Sequence, residues 1–183
     1  MKKLFAMAVA LVFAFGANAQ IGKGEIVIGA GVGLGNSVYG SYDKSLLPIN
    51  LDVEIGVAEA LFGVDGLSLG VGPSVSYTQG TEDYSGYGID YSIVGSSIIA
   101  GAKGYFHYAF LDWLDTYAAV TLGWNIATAK VVGDIDGIKP EAAGGLFYGV
   151  SVGARYWFTE ALGVNLEAGY GLSFLKAGIN FRF

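Results

Sequence analysis

Two glycine-containing motifs are the first places where this sequence could carry chemistry. Gly149–Gly153 has the G-x-S-x-G pattern of a hydrolase nucleophile elbow, with Ser151 as its serine. The glycines from Gly29 to Gly35 could be taken for a dinucleotide-binding loop. Both motifs require a helix directly after them, whereas both lie here in stretches with a period of two. We therefore predict no catalytic residue and no cofactor.

The titratable residues offer three further candidates for chemistry. His107 is the only histidine, and it lies among aromatic residues, which favours a membrane-interface position over catalysis. Two polar segments collect acids and tyrosines: Glu82, Asp83, Tyr84, Tyr87 and Asp90 in one, and Asp134, Asp136 and Glu141 in the other. No spacing among them matches a calcium-binding loop, so we predict solvated loops and no metal site. The absence of cysteine excludes disulfides and thiolate ligands.

The N-terminus has the pattern of an export signal. Lys2 and Lys3 precede the apolar stretch Leu4–Phe15, and Ala17-Asn18-Ala19 supplies a small-x-small cleavage site. The stretch is shorter than the roughly 20 residues that a transmembrane helix needs. We predict that residues 1–19 are a signal peptide and that residues 20–183 form one domain.

The composition indicates a membrane protein without transmembrane helices. The chain has 30 glycines, 14% aromatic residues and a mean hydropathy of +0.50, but no long apolar run after the signal. Loss of the signal would leave eight basic residues against sixteen acidic ones, a balance unsuited to nucleic acid. A hydrophobic chain of this kind must distribute its apolar residues by alternation. In lipid, only a closed β-barrel then satisfies the backbone.

Alternation is clearest at the C-terminus, where Leu175, Ala177, Ile179, Phe181 and Phe183 share one face. Similar patterns predict eight strands, near residues 25–35, 49–58, 67–78, 92–106, 116–128, 146–158, 164–171 and 175–183. The connections 36–48, 79–91 and 129–144 are long, and 59–66, 107–115 and 159–162 are shorter. Since outer-membrane barrels have long outer loops and short periplasmic turns, we predict an all-β, eight-stranded antiparallel up-and-down transmembrane β-barrel with both termini periplasmic.

The polar face is predicted to line the interior. A soluble lipocalin-like barrel would fill its interior with apolar side chains, whereas this face combines glycine, serine and asparagine with charges. Since an eight-stranded barrel is only wide enough for side chains to fill, small neighbours would make room for charged ones. The predicted interior charges are Asp52, Glu54, Lys103, Arg155, Glu167, Lys176 and Arg182. Strand register further predicts that Arg155 lies near Glu167 and Glu25 near Arg182.

Aromatic residues cluster at the predicted periplasmic strand ends, as in a membrane-interface girdle. The residues assigned to this girdle are Tyr105, Phe106, Tyr108, Phe110, Trp113, Tyr117, Tyr156, Trp157, Phe158, Phe181 and Phe183.

Three segments resemble the OmpA/OmpX-like outer-membrane β-barrel family. Gly29–Gly35 is similar to its first strand, Gly153–Phe158 with Gly163–Tyr170 to its sixth and seventh strands, and Gly178–Phe183 to its closing strand. The resemblance implies that Phe181 and Phe183 form the assembly signal that the barrel-assembly machinery binds. It is specific for architecture and weak for activity, since family members include adhesins and stability factors.

The expected function is therefore a structural or surface-interaction role in the outer membrane, with a charged, largely plugged interior. A narrow porin-like channel for small solutes is the alternative. A lipid-modifying enzyme is less favoured, because His107 is predicted at the periplasmic end. Outer-membrane lipid and lipopolysaccharide, the latter bridged to the acidic loops by divalent cations, are the expected partners.

Overall fold

A computed structural model describes residues 19–86, 89–133 and 140–183. Nearly all of them belong to strands or short connections, and the only helical element is a 3-10 turn at Leu61–Gly63. The strands are β1 (Ile26–Leu34), β2 (Lys44–Ser45), β3 (Ile49–Glu59), β4 (Leu67–Gly86), β5 (Ile89–Leu111), β6 (Leu114–Gly133), β7 (Gly145–Trp157), β8 (Leu162–Tyr170) and β9 (Leu175–Arg182). Within the described ranges, no helix is long and apolar enough to cross a bilayer.

Eight of the strands close into a ring in which every neighbouring pair is antiparallel. The order around the ring is β4, β3, β1, β9, β8, β7, β6 and β5, and β5 returns to β4. The first strand meets the last over eight residues, from the pair Val27 and Arg182 to the pair Leu34 and Leu175. The two-residue strand β2 lies outside the ring and pairs only with β4. The predicted eight-stranded antiparallel up-and-down β-barrel is confirmed.

The barrel has two unlike ends. We call the end where β1 begins and β9 finishes the terminal end, and the opposite one the distal end. The strands β4, β5 and β6 have 20, 23 and 20 residues, whereas β1 and β8 have nine and β9 has eight. The three long strands therefore extend beyond their neighbours at the distal end and form a three-stranded sheet there.

This extension corrects the predicted connections. Residues 79–91 are almost entirely strand, because Gln79–Gly86 pairs with Ile89–Ser96. The predicted turn at 107–115 is reduced to residues 112–113, since Tyr108 still pairs with both Leu67 and Thr116. Polar composition predicts a loop here, but a neighbouring strand that supplies backbone hydrogen bonds keeps these residues in the sheet. Tyr87, Asp134, Asp136 and residues 1–18 of the predicted signal lie outside the described residues.

The two faces of the ring follow the alternation in the sequence. Large apolar side chains, such as Leu51, Val75, Leu122 and Val152, are exposed on the outer face, where lipid would cover them. The inner face carries small residues because strands and side chains crowd there. A Cβ atom on Gly101 of β5 would collide with the backbone of Leu122 on β6. This glycine therefore permits the close approach of the two strands.

The connection between β3 and β4 contains strained backbone. Ala60 (φ 48°) and Phe62 (φ 56°) adopt left-handed conformations without being glycine. Such a conformation costs an L-residue with a side chain roughly 1–2 kcal/mol. Gly63 and Gly66 adopt it in the same turn without that cost.

Replacing Gly101 by alanine is expected to destabilise the barrel by about 1–3 kcal/mol, because the new methyl group must displace backbone of β6. Gly104→Ala is the matched control, because it lies on the same strand with open space at its Cβ position. The free energy of unfolding in lipid vesicles, measured by denaturant titration, should fall for the first variant only. Equal values for both variants would contradict this account of the inner face.

Candidate functional site: the charged lumen

The centre of the lumen contains two lysines and two carboxylates, Asp52, Lys103, Glu167 and Lys176, which we call the central cluster. Lys103 Nζ lies 2.7 Å from Glu167 Oε2 and 3.6 Å from Asp52 Oδ2. Lys176 Nζ lies 3.0 Å from Glu167 Oε1 and 3.4 Å from Asp52 Oδ2. Each carboxylate thus contacts both lysines. The four charges balance, as buried charges must if their desolvation is to be offset.

Hydroxyl groups complete the coordination of the two central carboxylates. Ser74 Oγ donates to Asp52 Oδ1 at 2.6 Å, and Ser151 Oγ donates to Glu167 Oε1 at 2.9 Å. Tyr117 donates its phenol proton to Glu167 Oε2 at 3.1 Å and accepts a hydrogen bond from Asn165. Ser151, the serine of the G-x-S-x-G motif, therefore lies in the middle of β7. Its hydroxyl donates a hydrogen bond to a carboxylate and, within the described part of the chain, has no general base beside it, unlike the nucleophile of a hydrolase.

A second cluster lies one layer nearer the terminal end and consists of Glu54, His107, Asp115 and Arg155; we call it the terminal cluster. Arg155 Nη2 donates to Glu54 Oε2 at 3.0 Å, and its Nη1 lies 3.8 Å from Asp115 Oδ2. His107 is completely buried between the two acids, with Nε2 2.6 Å from Glu54 and Nδ1 2.8 Å from Asp115. Nδ1 is hydrogen-bonded to Asp115, whereas Nε2 and Glu54 Oε1 are in contact without hydrogen-bond geometry, and that contact is attractive when the ring is an imidazolium.

The ion pairs of the lumen run across the barrel as well as along its wall. Glu54 on β3 and Arg155 on β7 come from strands on opposite sides of the ring, four positions apart in the strand order. Lys103 on β5 reaches Glu167 on β8, three positions away. These pairs therefore tie distant strands together through the interior, independently of the backbone hydrogen bonds between neighbours.

Arg182 forms a third layer at the terminal rim. Its Nη1 lies 3.8 Å from Glu25 Oε2, the contact that closure of the first strand on the last predicts. Its Nε donates to the carbonyl of Glu160, and its guanidinium carbon lies 4.4 Å from the centre of the Trp157 ring. The same ring packs in a buried apolar group with Ala19, Ile21 and Val27. Because Ala19 is the last residue of the predicted signal, Ile21, Val27 and Trp157 are the members of this group that would remain after cleavage.

At the distal mouth, the connection between β1 and β3 folds inward. Tyr39 is buried, its hydroxyl lies 3.0 Å from Ser97 Oγ, and its ring fills the space over Gly80 and Gly95. Asn36 holds the start of this connection, because its amide nitrogen donates to Thr78 Oγ1 at 2.6 Å. Gly80 on β4 and Gly95 and Ser97 on β5 have side chains small enough to leave room for the Tyr39 ring.

Little free volume remains between these layers. A cavity of about 10 Å³ separates the central from the terminal cluster, and one of about 70 Å³ lies on the distal side of Lys103 and Lys176. The smaller one is at the limit of what a single water molecule occupies. The larger one is lined by Asn50, Ser74, Ser76 and other polar groups, and it ends at the central cluster.

The structure brings the seven candidate interior charges into these three layers, but it changes one predicted contact. Arg155 and Glu167 are diagonal neighbours in the register of β7 and β8, as predicted. No ion pair joins them, however, because Arg155 pairs with Glu54 and Asp115 while Glu167 pairs with the two lysines. The ring of Tyr117 contacts Arg155 and its hydroxyl binds Glu167, so it separates the two.

Sequence reasoning missed two members of the terminal cluster and misplaced three aromatic residues. Asp115 and His107 fall in the predicted connection 107–115, but in the structure they belong to β6 and β5 and face the lumen. Tyr105, Tyr117 and Trp157 were assigned to the girdle but are buried in the lumen. The signal that could have found all five is their odd numbering, which continues the inward face of β5, β6 and β7 to the end of each strand.

The two candidate assembly residues lie at the end of β9 on the outer face. Phe181 and Phe183 are both exposed, and Phe183 is the last residue of the sequence. The backbone of Phe183 exchanges two hydrogen bonds with that of Ile26, at 2.9 and 3.1 Å. The closing strand is therefore paired to its final residue.

No protein-family model matches the sequence, and no curated protein matches it either. Solved structures do. The attachment invasion locus protein Ail of Yersinia pestis, in complex with the heparin analogue sucrose octasulfate, superposes with a TM-score of 0.54 at 18% identity. The match covers 88% of this chain and 99% of that one. A de novo designed transmembrane β-barrel gives a TM-score of 0.50 at 17% identity, covering 90% of this chain and 99% of the design.

The chain therefore has the fold of an eight-stranded antiparallel transmembrane β-barrel. The designed relative shows that this architecture alone implies no biological activity. Sequence identities of 17–18% establish a shared fold and no shared role, so the lumen and the distal end of this barrel are what indicate its function.

Among the described residues, no group of three or more His, Cys, Asp or Glu side chains could hold a metal ion.

Replacing Glu54 by glutamine is expected to destabilise the barrel by about 3–5 kcal/mol, because it leaves Arg155 and His107 buried with Asp115 as their one remaining counter-charge. Lys44→Met, which removes the exposed ion pair with Asp83, is the control and should change stability little. Denaturant titration in vesicles measures both effects. A loss for Glu54→Gln no larger than that for Lys44→Met would show that the terminal cluster does not stabilise the fold.

Proposed function

We propose that this protein is an integral outer-membrane β-barrel with a structural or surface-interaction role and a closed interior. Residues 1–19 are the export signal in this proposal, and residues 20–183 are the barrel. The terminal end faces the periplasm, the distal end faces outside, and Phe181 and Phe183 serve as the signal for the barrel-assembly machinery. The barrel itself is not an enzyme.

The observation that carries the proposal is the occupation of the lumen by mutually neutralised charges. Lys103 and Glu54 are 2% and 1% exposed, and each is within 3.0 Å of an opposite charge. A solute would have to separate these pairs in order to pass, and each separated charge would be left desolvated. The Tyr39 contact at the distal mouth and the packing of Trp157 with Ile21 and Val27 at the terminal mouth supply additional barriers.

The distal end offers the surface for an interaction. The extensions of β4, β5 and β6 present a stacked pair of aromatic rings, Tyr84 and Tyr91, with centroids 5.0 Å apart. Their neighbours Glu82, Asp83 and Asp90 are acidic, and Asp83 is in an ion pair with Lys44. An acidic and aromatic surface suits a cationic partner, or lipopolysaccharide phosphates bridged by divalent cations.

The relative Ail was crystallised with a polysulfated ligand, and this chain is poorly suited to the same chemistry. Recognition of sulfate groups requires several unpaired basic side chains. Of the eight basic residues after the predicted signal, four are used inside the lumen, Lys44 is paired with Asp83, and Lys23 lies at the terminal end, which leaves Lys130 and Lys139. We therefore propose surface interaction as the shared class of function, with a ligand of different charge.

Single-channel recording in planar bilayers tests whether the barrel is closed. The purified protein should give no steady openings, because the central and terminal clusters block the path. A charge-balanced double variant, Lys103→Ser with Glu167→Ser, keeps the pair of Lys176 with Asp52, enlarges the central space and should conduct more than the unmodified protein. Steady openings of the unmodified protein would overturn the closed-lumen proposal in favour of a narrow channel.

Cysteine labelling on intact cells tests the orientation. The chain has no cysteine, so Ser85→Cys at the distal end and Glu160→Cys at the terminal end each create a single reactive site. A membrane-impermeant maleimide should label Ser85→Cys on intact cells and Glu160→Cys only after permeabilisation. The reverse labelling pattern would invalidate the proposed topology.

Mass spectrometry of the isolated chains tests the proposed signal peptide. The measured mass should correspond to a chain that starts at Gln20.

A further inference from the structure

The turn between β3 and β4 combines strained backbone with an exposed aromatic side chain. Phe62 is 90% exposed, and it adopts the left-handed conformation that glycine accepts more readily. Val64 beside it is also exposed, and Leu61 is half-buried. In water, this sequence would be doubly unfavourable, because both the backbone strain and the apolar exposure would be uncompensated.

The other two described turns at the terminal end are built differently. The turn between β7 and β8 places Thr159 and Glu160 at its tip, and Thr159 Oγ1 accepts hydrogen bonds from the backbone N–H groups of Ala161 and Leu162. The turn between β5 and β6 has Asp112 at its tip. In the connection between β3 and β4, the residue at the tip is itself aromatic: Phe62 is 90% exposed, against 66% for Phe110 and 36% for Trp113 beside the turn between β5 and β6.

This apolar tip is continuous with the lipid-facing surface. Leu67, the first residue of β4, pairs with Tyr108 of β5, whose ring packs edge-on against Phe110 at a centroid distance of 6.0 Å. A backbone hydrogen bond of 2.9 Å from Ala109 to the carbonyl of Gly66 ties the turn to that strand. The tip therefore extends the aromatic rim of the barrel rather than standing apart from it.

We propose that the turn at residues 60–66 is a lipid-binding element that inserts Phe62 into the head-group boundary of the leaflet at the terminal end. Aromatic rings are favoured at this depth, where an apolar body meets a polar boundary. The flanking acids Glu59 and Asp65 remain at the aqueous side of that boundary. Insertion of the ring offsets the strain of the turn and fixes the depth of the barrel on this side. This inference rests on the proposed membrane location and adds a specific contact to it.

Depth measurement at single cysteines tests the contact. In the cysteine-free chain, Phe62→Cys carries an environment-sensitive fluorophore, with Asp65→Cys as a control in the same turn and Leu122→Cys as a control on the lipid-facing belt. The proteins are reconstituted in phosphatidylcholine vesicles that contain a nitroxide-labelled lipid. At Phe62, emission should shift to the blue relative to Asp65, and a nitroxide near the head group should quench more than one at the chain end.

The controls separate the possible failures. A lipid-exposed label at Leu122 together with a water-exposed label at Phe62 would overturn the inference and leave the membrane proposal intact. That result would instead favour a protein partner for the turn. Water exposure at both positions would overturn the membrane proposal itself.

A matched pair of substitutions tests the energetic role without a label. Phe62→Leu and Phe62→Ser both keep a Cβ atom in the strained conformation, so they differ mainly in apolar surface. In vesicles, the denaturant midpoint should fall for Phe62→Ser and change little for Phe62→Leu. Equal midpoints for the two variants would show that lipid does not contact the side chain.

Discussion

The narrow interior of an eight-stranded ring is the constraint on which the rest of this structure depends. Such a ring leaves room for side chains but for little water, so each charge inside must be neutralised by another side chain. The central cluster meets this requirement with two lysines between two carboxylates, and the terminal cluster with Arg155 and His107 between Glu54 and Asp115. Because the partners come from strands far apart in the ring, the charges stabilise the closed barrel as a whole.

The small residues of the inner face follow from the same constraint. Long charged side chains can cross the lumen only where the facing wall has little volume of its own. Gly70, for example, lies against the side chain of Glu54, and Gly153 lies against the ring of Tyr117. The glycines thus have two uses, since Gly101 permits close strand approach while Gly70 and Gly153 leave space for the network.

The two ends of the barrel differ because the strands differ in length. At the distal end, β4, β5 and β6 continue as a polar sheet whose aromatic and acidic side chains are available to solvent. At the terminal end, the strands finish in short connections, and most of the exposed side chains near them are aromatic or apolar. With the closed interior that we propose, these two surfaces are the parts of the molecule that other molecules can reach, the distal one for a surface role and the terminal one for a lipid contact.

The sequence by itself determined the fold class and most of the inward-facing charges. A period of two along each strand assigns every residue to a face, and the polar face of a membrane barrel must be the inner one. The sequence did not determine the strand ends. The alternation predicts that the fourth strand ends before His107 and the fifth begins after Asp115, whereas both residues lie in strands. Only the tertiary structure decided which charges pair. Arg155 contacts Glu54 from the opposite wall rather than Glu167 on the next strand, because partners across a lumen are set by the stagger of all eight strands, which no local pattern records.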